Sequence, residues 1–99
     1  MTGDPKPEYR LDLADERLWL EDQPVTIGNK AFQILRLFVT NPNRLLTKDE
    51  ILDAIWGDLC VSEGLVKEYV HDLRVALGDD PASPTFIETI RGRGYRFLG

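Results

Sequence analysis

Three arginines crowd the end of the chain, where IRGRGYRFLG (residues 90–99) sets Arg91, Arg93 and Arg96 within six positions. Gly92 and Gly94 alternate with the first two. Glycine allows the positive φ of a tight two-residue reversal and lets the backbone come close to a phosphate. Guanidinium groups held at such a tip can neutralise phosphates. A second set is Lys67, His71 and Arg74, which helical spacing puts opposite the apolar stripe Val66, Val70, Leu73 and Leu77. A third is Thr47-Lys48-Asp49-Glu50, whose capping-box spacing starts a helix. The free amides and dipole at that end favour an anion. Each set has a plainer reading too: hairpin tips are solvated, helices keep one polar face in water, and a capping box can serve stability alone.

Catalysis finds little to work with. Asp49-Glu50 and Asp79-Asp80 are adjacent carboxylates, but no nucleophile stands with a base, and His71, the single histidine, faces away from the expected core. These carboxylates read most simply as capping or solvated charges. Cys60 is the single cysteine, so no intrachain disulfide forms, and a zinc site would need carboxylate ligands with no recognisable spacing. The G-x-x-x-x-G-K pattern is absent, and G-R-G near the end lacks the following helix of a dinucleotide site. No enzyme, cofactor or metal is expected.

The elements that must position these residues follow from apolar periodicity. Residues 1–8 hold two prolines and few apolar side chains, a flexible lead-in. Tyr9, Leu11 and Leu13 alternate with polar positions, and Leu18-Trp19-Leu20 and Val25-Thr26-Ile27 follow across the breaks Asp15–Arg17 and Asp22-Gln23-Pro24. This predicts a small antiparallel meander. Lys30–Thr40 changes period, with Ala31, Ile34, Leu35 and Phe38 at i, i+3, i+4, i+7 and Phe32 and Val39 widening the stripe, until Asn41-Pro42-Asn43 stops the helix. A turn there leads into Leu45-Leu46. A second helix starts at the capping box, carries Ile51, Leu52, Ile55 and Trp56 inward, and closes at Gly57 in the left-handed conformation. Ser62 caps a third, ended by Gly78. After the polar loop Asp79–Pro84, Phe86–Ile90 and Tyr95–Leu98 flank Arg91–Gly94 as a terminal hairpin. Trp19 and Trp56 lie among apolar neighbours and are expected in the core. One domain over 9–98 accommodates all of this, large enough to fold without staples.

Charge is distributed unevenly. The net charge of −5 taken alone argues against nucleic acid. Residues 1–27, however, carry three cations against seven anions, whereas residues 86–98 carry three cations against one. No apolar run approaches the roughly 20 residues of a membrane span, and the first residues lack a secretory pattern. A cytoplasmic location is expected.

Helix, short break, helix and terminal hairpin is the element order of a winged helix-turn-helix. The residues LTKDEILDAIWG (46–57), VSEGLVKEYVHDLRVALGD (61–79) and FIETIRGRGYRF (86–97), with KAFQILRLF (30–38), resemble the OmpR/PhoB-type winged-helix effector domain, in particular its CadC-like N-terminal version. The resemblance implies an α+β fold: N-terminal antiparallel strands, a three-helix core and a C-terminal hairpin wing. It also implies sequence-specific binding of double-stranded DNA by a transcriptional regulator. The helix from Ser62 would enter the major groove and the Arg91 hairpin would rest on the backbone or minor groove. On this placement the DNA-facing residues are Thr47, Lys48, Lys67, Glu68, His71, Asp72, Arg74, Thr89, Arg91 and Arg93, with Lys67 and His71 on bases or nearby phosphates and Arg74 on the backbone. Tandem or dimeric binding and a contact with RNA polymerase through the loop 57–61 are further implications. Gly64 and Asp72 depart from the family, standing where arginine is familiar. Residues 62–77 hold two cations against three anions. Glu68 could still accept from cytosine N4. The acidic helix leaves a second reading open, a protein-interaction module on the same scaffold.

Overall fold

The computed structural model describes residues 8–57 and 61–98. The expected lead-in lies outside them except for Glu8, whose carbonyl accepts from the Glu21 amide at 2.8 Å. Among the described residues nine elements follow in order: β1 (Tyr9–Asp12), β2 (Arg17–Leu20), β3 (Gln23–Val25), α1 (Asn29–Thr40), β4 (Leu45–Thr47), α2 (Lys48–Trp56), α3 (Glu63–Leu77), β5 (Ile87–Ile90) and β6 (Gly94–Phe97). This is the expected α+β winged helix-turn-helix, with three details of the front meander corrected.

The first sheet runs β1-β2-β3, antiparallel throughout. Leu18 and Leu20 of β2 turn toward the core, Leu18 becoming fully buried. Strand pleating then forces Trp19 outward. Trp19 is therefore not a core residue; it is half-buried, with the Arg10 guanidinium 5.2 Å above its ring. The reversal after Leu20 comes at Glu21-Asp22, both at positive φ (48° and 64°), as a two-residue I′ hairpin demands. The third strand is consequently Gln23–Val25 rather than Val25–Ile27. Pro24 is tolerated because β3 is an edge strand that needs no donor there. Leu13 lies in the β1–β2 turn, exposed, instead of continuing the strand.

The helices follow the apolar stripes. α1 buries Ala31, Phe32, Ile34, Leu35 and Phe38, and ends at Asn41, whose side chain donates to Leu37 O at 2.9 Å. α2 carries both halves of the capping box: Glu50 N donates to Thr47 Oγ1 and Thr47 N to Glu50 Oε1, each at 3.1 Å. Gly57 closes α2 at φ 60°, ψ −124°, a glycine conformation different from the left-handed one expected. α3 begins at Ser62, whose Oγ accepts from Gly64 N at 3.2 Å, and ends at Gly78 in the left-handed conformation (φ 68°, ψ 31°).

The second sheet has the order β4-β6-β5, so the last strand of the chain inserts between two earlier ones. Leu45–Thr47, expected only as the exit of a turn, is its third strand. Phe38, Phe86 and Phe97 stack beneath it, with centroids 6.1 Å apart for Phe38–Phe97 and 6.5 Å for Phe86–Phe97. Side chains from both sheets and all three helices meet in one core. Trp56 belongs to its edge, as expected, packed on Tyr69 with Lys30 Nζ 5.8 Å from its ring centroid.

Candidate nucleic-acid interface

The buried stripe Val66, Val70, Leu73 and Leu77 holds α3 against the core. Helical periodicity therefore turns Lys67, Glu68, His71 and Asp72 into solvent. These four line one shallow depression of about 450 Å³. The expectation for Arg74 needs correcting. It does not share the free outer face: it is half-buried, and its Nη2 donates to Thr89 Oγ1 at 2.6 Å and to Ile87 O at 3.0 Å. At i+7 from Lys67, Arg74 sits on the flank of α3 that meets β5, and strand carbonyls outcompete solvent for its planar donors. Arg74 and Thr89 thus join the third helix to the terminal hairpin. Burial pushes the Tyr95 phenol above its usual 10.0, with the Arg74 guanidinium acting against that rise.

The hairpin tip is a three-residue loop, Arg91-Gly92-Arg93, closed by the Ile90–Gly94 pair. It is not the two-residue reversal expected. The Arg93 amide donates to Ile90 O at 3.0 Å, and Gly92 takes φ +71° at the third position of that turn, where glycine is favoured. Gly94 serves a different purpose. A Cβ on it would come within 2.0 Å of Leu46 O and 2.8 Å of Thr47 Cα, so its bareness permits β6 to lie against β4 rather than any approach to phosphate. Arg91 and Arg93 are exposed at the tip. Arg96 lies on β6 and pairs across the strands with Glu88, Nη1 to Oε1 3.2 Å.

Because Thr47 pairs with Gly94, the N-terminus of α2 lies beside the wing tip. Leu45, Thr47, Lys48, Asp49, Gly92 and Arg93 line one cleft of about 390 Å³. Glu50, on the same turn, is held below its usual 4.5 by the Thr47 amide and then by Arg44, whose Nη2 lies 2.7 Å from Oε2. The sequence-predicted residues consequently form one belt. The free face of α3 leads through Arg74 and Thr89 to the wing, and from Arg93 to Lys48 and Thr47. Of the loop 57–61, residues 58–60 lie outside the described residues.

Asp79 is the residue whose role the sequence did not reveal. Read there as a solvated charge, it is half-buried and accepts from three successive amides, Thr85 at 2.6 Å, Phe86 at 3.2 Å and Ile87 at 2.9 Å. It ties the end of α3 to the start of β5. Its donors lie six to eight residues downstream, a spacing no local motif announces; the only hint was an aspartate directly after a helix-closing glycine.

Fold and belt together define a winged helix-turn-helix domain with a basic wing. The family model described as "Transcriptional regulatory protein, C terminal" matches residues 22–97, and the chain belongs to this family, the OmpR/PhoB-type domains. It is 33% identical over 81 residues to the alkaline phosphatase synthesis transcriptional regulatory protein SphR of Synechococcus elongatus, an alignment covering 81% of this chain and 32% of SphR. The response regulator DrrB of Thermotoga maritima, an OmpR/PhoB homologue, superposes with a TM-score of 0.85 at 30% identity, over 92% of this chain and 42% of that one. Two further structures share the fold. The DNA-binding domain of Klebsiella pneumoniae RstA, solved with the RstA box, gives a TM-score of 0.83 at 22% identity over 96% of this chain and 95% of that one. The DNA-binding domain of E. coli CadC gives 0.81 at 23%, over 95% and 89%. The chain spans between 32% and 40% of the length of the curated relatives it matches.

Proposed function

We propose that residues 9–98 act as one unit that binds double-stranded DNA in a transcriptional regulator, with α3 in the major groove and the 86–98 wing on the backbone or minor groove. One observation supports the reading above the others: the Arg74–Thr89 bond joins α3, which carries the free face, to the hairpin that carries the arginine tip. The major groove admits an α-helix, and a cationic tip joined to that helix can meet the phosphates beside it. Family membership and the DNA complex of the RstA domain support it. The family is one of transcriptional regulators rather than enzymes, and we extend that to this chain, acting in the cytoplasm. Within the same reading, the chain occupies paired or tandem half-sites and contacts RNA polymerase through the loop 57–61.

Anisotropy titrations against a selected duplex at several salt concentrations test this. DNA binding releases counterions, so log affinity falls with log salt by about 0.9 per phosphate contact. Arg91→Ala and Arg93→Ala each weaken binding and flatten the slope by roughly that amount. Absence of salt-sensitive binding to any duplex would overturn the reading and favour the protein-interaction module, whose motivation is the exposed Glu68 and Asp72 on α3.

A further inference from the structure

Several charged side chains near the wing are engaged: Arg74 with Thr89, Arg96 with Glu88, Arg44 with Glu50. Lys67, Glu68, His71 and Asp72, like Arg91 and Arg93 at the tip, make no side-chain hydrogen bond or ion pair among the described residues, and the four line one depression. Their order on the helix is informative. A helix face adapted only to water gains from opposite charges at i, i+4. Within this group of four, both i, i+4 pairs are of like kind, Lys67 with His71 and Glu68 with Asp72, although Glu63 stands four residues before Lys67 and Glu68 three before His71. The result is two parallel rails, one of donors and one of carboxylate acceptors. Each rail repeats after about 6 Å along the axis, close to two base-pair steps of about 3.4 Å.

We infer that these rails read G·C pairs: Glu68 and Asp72 accept from cytosine N4 amino groups, while Lys67 and His71 donate to guanine O6 and N7. This rests on the DNA-binding reading above and names the sequence class that surface selects. Cytosine is the base for a carboxylate, because its major-groove edge offers a donor with no acceptor beside it, whereas adenine sets N7 next to its N6 donor and thymine offers O4. A wrong base leaves a carboxylate desolvated and unpaired against the phosphates, so the two acids act chiefly by penalising other sequences. Gly64, one turn before Glu68, adds no side chain to that end of the face.

The test is selection from a randomised duplex library with the 99-residue chain, followed by anisotropy titrations on the selected duplex and on single-pair replacements. The expected site carries G·C pairs beneath the middle of α3, with cytosines about two steps apart on one strand. Replacing either C·G by T·A weakens wild-type binding roughly tenfold. Glu68→Gln and Asp72→Asn, which preserve shape, each lose discrimination at one position and accept adenine there, while binding random duplex more tightly. Substituting 7-deazaguanine, which lacks N7, for the guanine facing His71 alone costs the wild type but not His71→Ala. A selected site without G·C pairs under α3, or acid variants that raise affinity for every duplex with unchanged base preference, overturns the inference. A chain that binds no duplex at all overturns the DNA-binding reading instead, a distinguishable result.

Discussion

The first sheet joins three strands that succeed one another through short reversals, whereas the second pairs Thr47 with Gly94 and threads the final strand between β4 and β5. The sheets also differ in charge. The segment of the first is rich in carboxylates and its outer face shows Arg10 and Trp19; the second presents Arg91 and Arg93 beside Lys48. Local pairing makes the first sheet a cap on the core that neighbouring residues specify. Non-local pairing makes the second the device that brings the N-terminus of α2, the flank of α3 and the wing onto one surface. The tolerance of the two sheets to change should differ accordingly.

The largest effect is expected where the non-local sheet is tightest. Gly94→Ala puts a methyl group into the Leu46 carbonyl, a backbone contact that cannot swing aside. We expect a loss of about 3 kcal/mol or slightly more, read as a fall in the urea midpoint, with DNA affinity lost alongside it. Asp79→Ala removes the acceptor for three amides at the root of β5 and should cost about 2 kcal/mol, checked by the same titration. The first sheet offers the opposite sign. Asp22→Gly relieves a positive φ in the β2–β3 turn and should stabilise by about 0.5 to 1 kcal/mol with no change in DNA affinity, which thermal unfolding and anisotropy would show. A comparable loss of DNA affinity from this change would contradict the division of labour between the sheets.

The smallest effect concerns acid. Glu50 has a folded pKa below its unfolded value near 4.5, so the stabilisation it brings is present above that value and lost as pH falls through the folded one. Urea midpoints of the wild type and Glu50→Gln should therefore differ at pH 6 and converge in the window below 4.5. A difference that persists in acid would show that the carboxylate's charge is not what holds β4 to α2.

The helices and their ends were legible because their causes are local. Stripes at i, i+3, i+4, i+7, a capping box and glycine after the last apolar residue are all written within one or two turns, and Thr47, Ser62 and Gly78 stand where those signals put them. The meander was legible in kind but not in register, since Glu21-Asp22 adopts positive φ without the glycine or asparagine that announces such a turn. β4 is not legible in the sequence, because three residues carry no period. Most of the candidate belt was readable as well, through its resemblance to a known family and through the polar face of α3.

The sequence by itself determined which faces are apolar, where helices start and stop, and that cations gather at Arg91 and Arg93, because those properties depend on residue type and near spacing. Only the tertiary structure decided that Arg74 spends its guanidinium on Thr89 and Ile87, that Asp79 anchors β5, that Trp19 faces outward, and that Gly94 is bare for the sake of Leu46. The partners in the Arg74, Asp79 and Gly94 contacts lie from six to nearly fifty positions away. Distance along the chain is erased only when the final strand closes the sheet, and with it the separate cationic stretches become one surface.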